Sequence, residues 1–246
     1  MFESWTLFAL MAAATVFAGI SKGGFGSGAA FASSAVLALV LPPTVALGIM
    51  LPLLMLIDVA TLRPYWKRWS WPEARLVILA GIPGVALGAA LFTVANDDVL
   101  RFLIGMVGLT FVAYRLWPRS APSRQAPMWS GWVAGLVAGF TSFISHAGGP
   151  PVAVFLLSRG LSKTTYQATT VLIFWAINVA KVIPFAFLGV FTLETLQADF
   201  WLAPFALVGA WLGVKAHHLV SERLFFGLTY VMLVLTGLKL VWDALT

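Results

Sequence analysis

Cysteine is absent from the 246 residues of the chain, and charged residues make up only 10% of them. Without cysteine there is no disulfide, no thiolate metal site and no thiol nucleophile. The sequence also lacks a phosphate-binding loop, a nucleophile elbow and the ligand spacing of a metal site. We therefore predict no cofactor and no metal, and we expect a protein that is not an enzyme.

Apolar residues make up 61% of the chain and run continuously between short polar gaps. A soluble domain of this size cannot bury so much apolar surface, and the runs do not alternate as β-barrel strands do. The sequence predicts an all-α polytopic membrane protein in a lipid bilayer. Its ten apolar segments are about 4–20, 27–41, 44–62, 74–94, 98–117, 129–145, 149–158, 165–190, 199–216 and 224–244.

Basic residues lie in alternate gaps between the segments, at 63–75, 115–124, 159–163 and 215–223. Two other gaps are acidic, and the second of them holds Glu194 and Asp199. Lysine and arginine are enriched in cytoplasmic loops, which places all the basic gaps on one side. We predict a multi-pass membrane protein with both termini outside the cytoplasm. Because topology explains the net charge of +6, we expect no nucleic-acid partner.

Two of the segments, 27–41 and 149–158, are short for a bilayer that needs about 20 helical residues. Eight full spans with two re-entrant hairpins are therefore the alternative to ten segments. The sequence leaves the oligomeric state open.

The two halves of the sequence correspond at an offset of 125 residues, which maps Gly23-Gly24 onto Gly148-Gly149. Five segments in each half make the second half enter the membrane from the opposite face. This pattern predicts two inverted repeats with discontinuous helices at the Gly-Gly motifs. We assign residues 1–120 to the N-terminal repeat, 121–128 to a cytoplasmic linker and 129–246 to the C-terminal repeat.

Both Gly-Gly motifs interrupt an apolar run. The first, in residues 19–28, holds Lys22, and a helix restarting near residues 25–30 would present free N–H groups to an anion. The second, in residues 145–151, ends in Gly-Gly-Pro-Pro, which is typical of a helix start. Two interrupted helices, one in each half, are typical of a transporter binding site. The alternative for Lys22 is an ammonium group that reaches water at the membrane surface.

Three further polar residues interrupt apolar segments. Asp58 is costly inside a span, so we expect it to face the interior and to have a partner. Asn178 shares a helix face with Lys181, and the alternative to a functional Lys181 is a purely structural pairing with Asp58. His146 titrates near neutral pH, which makes it, with Asp58, a candidate proton carrier.

The motifs resemble those of the TauE/SafE sulfite exporter family. The resemblance rests on residues 19–26, 42–66, 146–151 and 166–181, and it covers nearly the whole chain. It implies a secondary transporter of the cell inner membrane for small sulfur-containing anions such as sulfite, sulfoacetate or other sulfonates; we expect export, although the sequence itself leaves the direction of transport open. Substrates vary within the family, so the resemblance implies a class of anion and no single compound.

We expect the two motifs to bind a small anionic substrate and to release it by alternating access, with protons as a possible coupling ion. The predicted substrate-binding residues are Ser21, Lys22, Gly23, Gly24, Phe25, Gly26, Ser145, His146, Gly148, Gly149, Gln167, Thr170, Asn178 and Lys181. The alternatives are a passive anion channel, a transporter of a non-sulfur carboxylate and a membrane-embedded enzyme that uses His146.

Overall fold

The structure is a computed structural model that describes residues 4–25, 29–117, 126–216 and 222–246. Within these ranges it contains ten α-helices and one π-helical turn, and no strand. The elements are α1 (Trp5–Ile20), the π turn (Ser21–Phe25), α2 (Phe31–Leu37), α3 (Pro43–Leu62), α4 (Trp71–Phe92), α5 (Asp97–Leu116), α6 (Ser130–Ser145), α7 (Gly149–Ser158), α8 (Lys163–Phe187), α9 (Leu193–Ala216) and α10 (Glu222–Leu245). Gly26 and residues 121–125 of the predicted linker lie outside the described ranges.

Six stretches of the described chain are long and apolar enough to cross a membrane. They are Trp5–Phe25, Pro43–Leu62, Trp71–Phe92, Asp97–Leu116, Lys163–Phe187 and Phe226–Leu245. Large apolar side chains such as Phe187, Trp201 and Leu235 are exposed on the outside of the bundle. Such surfaces suit contact with lipid, so the prediction of an all-α polytopic membrane protein is confirmed.

The helix ends divide the bundle into a basic end and an acidic end. The basic end carries Arg115, Lys163 and Lys215, and α3, α5 and α9 finish there. The acidic end carries Asp97 and Glu194, at the starts of α5 and α9. The two ends follow from the alternation of basic and acidic gaps in the sequence.

Two short helices return along the helix that precedes them. In the first hairpin, Ser33 of α2 donates a hydrogen bond of 2.7 Å to the carbonyl oxygen of Ala14 in α1. In the second, the ring of Phe155 in α7 lies beside Gly131 at the start of α6. At 1.5 Å per residue, α2 and α7 extend only about 11 and 15 Å, against a hydrocarbon core of about 30 Å. These lengths favour re-entrant hairpins over two further complete crossings.

Helix α9 begins earlier than the predicted segment of 199–216. The Thr192 backbone N–H donates to the Thr195 hydroxyl and the Thr195 N–H donates to the Thr192 hydroxyl, so the two threonines cap the helix reciprocally. The placement of Asp199 in an acidic gap is therefore wrong, because this residue lies inside α9 and is buried.

Candidate functional site

Lys22, Asp58 and Asn178 form a buried group, here called the Lys22 cluster. The Lys22 ammonium lies 2.6 Å from Asp58 Oδ1, and the Asn178 amide donates a hydrogen bond of 2.8 Å to Asp58 Oδ2. Lys22 is 2% exposed and Asp58 0%, which excludes an ammonium group in water. Asp58 faces the interior as predicted, but its cationic partner is Lys22, so the proposed pairing with Lys181 is wrong.

Ser142, His146 and Lys181 form a second buried group, the Lys181 cluster. Lys181 Nζ lies 3.0 Å from the Ser142 carbonyl oxygen, 3.1 Å from the Ser142 hydroxyl and 2.7 Å from His146 Nδ1. His146 Nε2 lies 3.2 Å from the Leu47 carbonyl oxygen. A protonated lysine can only donate to Nδ1, so this network assigns the hydrogen to Nε2, which donates to Leu47.

Helix α8 joins the two clusters. Asn178 and Lys181 are three residues apart, so their side chains leave the same face of this helix. Asn178 reaches Asp58 on α3, while Lys181 reaches the corner between α6 and α7. The predicted shared face is confirmed, and it places the two lysines at opposite ends of one polar core.

The first Gly-Gly motif lies in the π turn and does not begin a helix. A Cβ at Gly23 would lie 2.6 Å from the carbonyl oxygen of Ala210 in α9, so close packing of the π turn on α9 requires glycine there. Helix α2 begins at Phe31 with Ala30 as its N-cap, at the end of the range 25–30 in which we expected a helix to restart; residues 26–28 lie outside the described ranges.

Two side chains from elsewhere bind the carbonyl groups of the π turn. The Tyr65 hydroxyl donates a 2.9 Å hydrogen bond to the Gly23 carbonyl oxygen, and the Gln167 amide donates to the carbonyl oxygen of Lys22. A π-helical turn shifts the backbone hydrogen bonds by one residue, and side-chain donors of this kind help to hold it. Tyr65 follows α3 in the connection to α4, where burial raises the pKa of its hydroxyl to about 12.

The second Gly-Gly motif does begin a helix. Helix α6 ends at Ser145, His146 adopts a left-handed backbone with φ of 56°, and α7 starts at Gly149 with proline in its first turn. A Cβ at Gly148 would lie 2.8 Å from the Ala138 carbonyl oxygen, so the corner is tight. The left-handed residue reverses the chain and brings the imidazole to Lys181.

A cavity of about 320 Å³ opens near the basic end between the two motifs. Gly24 and Phe25 line it from the first motif, Pro150 from the second, and Gln167 from α8. Arg115 and Lys163 contribute the cationic side chains of its lining. The cavity therefore reaches the neighbours of Lys22, while Lys181 and His146 do not line it.

Four aromatic rings fill the space between the Lys181 cluster and the acidic end. The ring centroids of Phe143 and Phe185 are 4.8 Å apart, those of Phe92 and Phe143 5.7 Å, and those of Phe185 and Phe191 6.0 Å. The first two pairs pack edge to face and the third is tilted. This aromatic cluster (Phe92, Phe143, Phe185, Phe191) closes the polar core on that side.

The remaining predicted residues do not contact the charged groups of the two clusters through the hydrogen bonds described here. The Ser145 hydroxyl donates to the Thr141 carbonyl oxygen and the Thr170 hydroxyl to that of Gln167, so both bond within their own helices. Ser21 is buried beside Lys22 in the π turn. Ser142 was not among the predicted site residues, although its position one helical turn before His146 could have indicated it.

The long apolar helices and the buried ionic core define a multi-pass α-helical membrane protein with a polar centre, the architecture of secondary transporters. Residues 11–240 match the family described as Sulfite exporter TauE/SafE. The match covers nearly the whole chain, so the protein belongs to the TauE/SafE family of membrane transporters. No curated protein and no solved structure matches the chain. Family membership implies a membrane exporter of sulfite-type anions.

Proposed function

We propose that the protein exports a small sulfur-containing anion, such as sulfite, sulfoacetate or another sulfonate, and binds it at the Lys181 cluster. The observation that supports this is the surroundings of Lys181, which is 0% exposed. Its partners, Ser142 and His146, are uncharged, and the described part of the chain places no carboxylate within ion-pair distance. A buried cation without a counter-charge is unfavourable, and an anionic substrate would supply that charge.

The two clusters together favour one bound negative charge. Lys22 and Asp58 cancel each other, which leaves Lys181 as the uncompensated cation when it is protonated and His146 is neutral. Each charge-assisted hydrogen bond to the substrate would contribute about 1.5–3 kcal/mol. A few such bonds are enough for micromolar-to-millimolar affinity after the cost of ordering.

Alternating access is supported by the difference between the two sides of the polar core. The cavity lined by Gly24 and Gln167 opens towards the basic end, whereas the aromatic cluster closes the acidic end. Transport would require the cavity to close and the aromatic rings to separate. We infer from the distribution of lysine and arginine that the basic end is cytoplasmic and both termini are outside, and from the family that the membrane is the inner membrane.

Two inverted repeats, residues 1–120 and 129–246 joined by the linker 121–128, would provide such a motion. In support, α1 and α6 both have 16 residues and begin 125 positions apart, and α5 and α10 begin at the same offset. Moreover α1 packs on α9 as α6 packs on α4, so each pair joins the two repeats. Exchange of equivalent conformations between the repeats would open one side as it closes the other.

The test is counterflow of labelled sulfite in proteoliposomes. Lys181→Met should lower the rate at least tenfold at subsaturating sulfite, because loss of one charge-assisted bond is worth a factor of about ten or more. Lys239→Met, at a position 59% exposed on α10, is the matched control and should transport normally. Normal counterflow by Lys181→Met would reject the binding assignment.

The same proteoliposomes separate the alternatives. Saturable exchange distinguishes a carrier from a channel, which would give ohmic current in a planar bilayer. Competition by sulfoacetate but not by malonate distinguishes a sulfonate transporter from a carboxylate transporter. Proton coupling through Asp58 or His146 remains a prediction; the Asp58 carboxylate is held by an ion pair with Lys22 and a hydrogen bond from Asn178, and both ring nitrogens of His146 lie within hydrogen-bond distance of a partner.

A further inference from the structure

A further buried acid, Asp199, lies outside both clusters. It is 9% exposed, and among the described residues neither of its carboxylate oxygens has a hydrogen-bond partner. Thr195, Ala198 and Leu202 are buried on the same side of α9, so Asp199 belongs to the internal face of this helix. The acid therefore points into the bundle and is not a loop residue in water.

The helices around Asp199 offer no cation to neutralise it. The elements that pack along α9 are α1, the π turn and α3. Helix α1 has no ionisable side chain, the π turn has only Lys22 and α3 has only Asp58. Those two residues pair with each other. Glu194 and Lys215 are the other ionisable groups of α9, at its two ends.

Asp199 and the Lys22 cluster lie at different heights along the axis of α3. Gly48 lies beside Val190, which precedes α9, and beside Thr195 in the first turn of α9, one turn before Asp199. Asp58 follows Gly48 by ten positions, about 15 Å along α3; because Asp199 is one turn further along α9 in the same direction, its separation from Asp58 along the axis is about 9 Å. Asp199 thus lies near the acidic end, on the opposite side of the core from the cavity.

We propose that Asp199 binds the proton that couples transport, taking it up from the acidic end. An ionised carboxylate in this position would be buried without a partner, whereas the neutral acid needs no counter-charge. Uptake converts the carboxylate to the acid, and release returns the proton to water when α9 moves and admits it. A sodium ion is disfavoured, because it would need several oxygen ligands around the carboxylate.

The proton-binding step is tested on purified protein, independently of transport. Infrared difference spectra at neutral pH should show a protonated-carboxyl stretching band in the wild type that is missing in Asp199→Asn. The control is Glu194→Gln, five residues earlier at an exposed position, which should keep the band. A band of equal size in Asp199→Asn would overturn the proposal, since Asp199 would then be ionised.

The coupling step rests on the proposed function and is tested in proteoliposomes. An imposed pH gradient should stimulate net sulfite flux in the wild type and in Glu194→Gln. Asp199→Asn should lose that stimulation and keep counterflow, and Asp199→Glu should regain part of it, which separates titration from folding. Stimulation that persists in Asp199→Asn, is absent in the wild type or depends on sodium would overturn the coupling role. Absence of counterflow in every protein would reject the proposed function and leave the infrared result to decide proton binding.

Discussion

The Lys22 and Lys181 clusters both bury a lysine, but only the Lys22 cluster contains a carboxylate. Lys22 lies 2.6 Å from Asp58, whereas Lys181 lies against a serine and an imidazole. Burial alone therefore does not tell whether a lysine is structural or functional. The charge of the partners distinguishes the two roles. A lysine paired with a carboxylate holds helices together, whereas a lysine without a counter-charge attracts an anion.

The largest expected effect comes from breaking the Lys22 cluster. Lys22→Met leaves Asp58 buried without its cation, and we expect the free energy of unfolding to fall by about 3–5 kcal/mol. Thermal unfolding in detergent micelles measures it. The double variant Lys22→Met/Asp58→Asn removes both charges and should recover much of the loss. A single variant as stable as the wild type would show that this ion pair does not hold the fold.

A smaller effect comes from moving the π turn that carries Lys22. Gly24→Ala places a methyl group against the Gly213 carbonyl group of α9, which should cost about 1–3 kcal/mol through overpacking. Gly227→Ala is the control, because a Cβ there meets no atom within 4 Å. Equal unfolding temperatures for the two alanine variants would contradict the close contact between the π turn and α9.

Tyr65→Phe tests a single hydrogen bond to the π turn that carries Lys22. Loss of the bond to the Gly23 carbonyl oxygen should cost about 1 kcal/mol at neutral pH. Because the pKa of Tyr65 is raised to about 12 in the folded protein, its neutral form is favoured there. Stability from this group is complete below about pH 10 and is lost as the pH rises towards 12.

The pH dependence of Tyr65→Phe provides a separate measurement. Unfolding temperatures of the wild type should fall more steeply between pH 10 and 12 than those of the variant, since phenylalanine does not ionise. Parallel pH profiles for the two proteins would mean that the Tyr65 hydroxyl is not buried against the π turn.

Much of the fold was predictable because apolar runs and basic gaps mark membrane helices directly. The segment predicted at 4–20 corresponds to α1 at Trp5–Ile20. Helix α2, at Phe31–Leu37, is shorter than its predicted segment of 27–41, of which residues 27 and 28 lie outside the described ranges. Asp199 was misplaced because the reciprocal threonine cap extends α9 into a stretch whose polarity resembles a loop.

The candidate site was predictable as a set of residues but not as a set of contacts. Lys22, Asp58, Asn178 and Lys181 stand out as polar residues in apolar surroundings. Which lysine pairs with Asp58 depends on how the π turn and α8 pack on α3, and local sequence carries no record of that packing. The Leu47 carbonyl group that fixes His146 is part of the backbone, so no residue type reveals it.

Lys181→Met should have the smallest effect on stability, and it tests the anion-binding assignment most directly. We expect Lys181→Met to unfold at a temperature no lower than the wild type, because it removes a buried charge that has no counter-charge. The decisive measurement is the rise in unfolding temperature on adding sulfite or sulfoacetate, which reports binding to the folded state. Both anions should stabilise the wild type and Lys239→Met and leave Lys181→Met unchanged. An undiminished rise in Lys181→Met would contradict the assignment of the anion site to the Lys181 cluster.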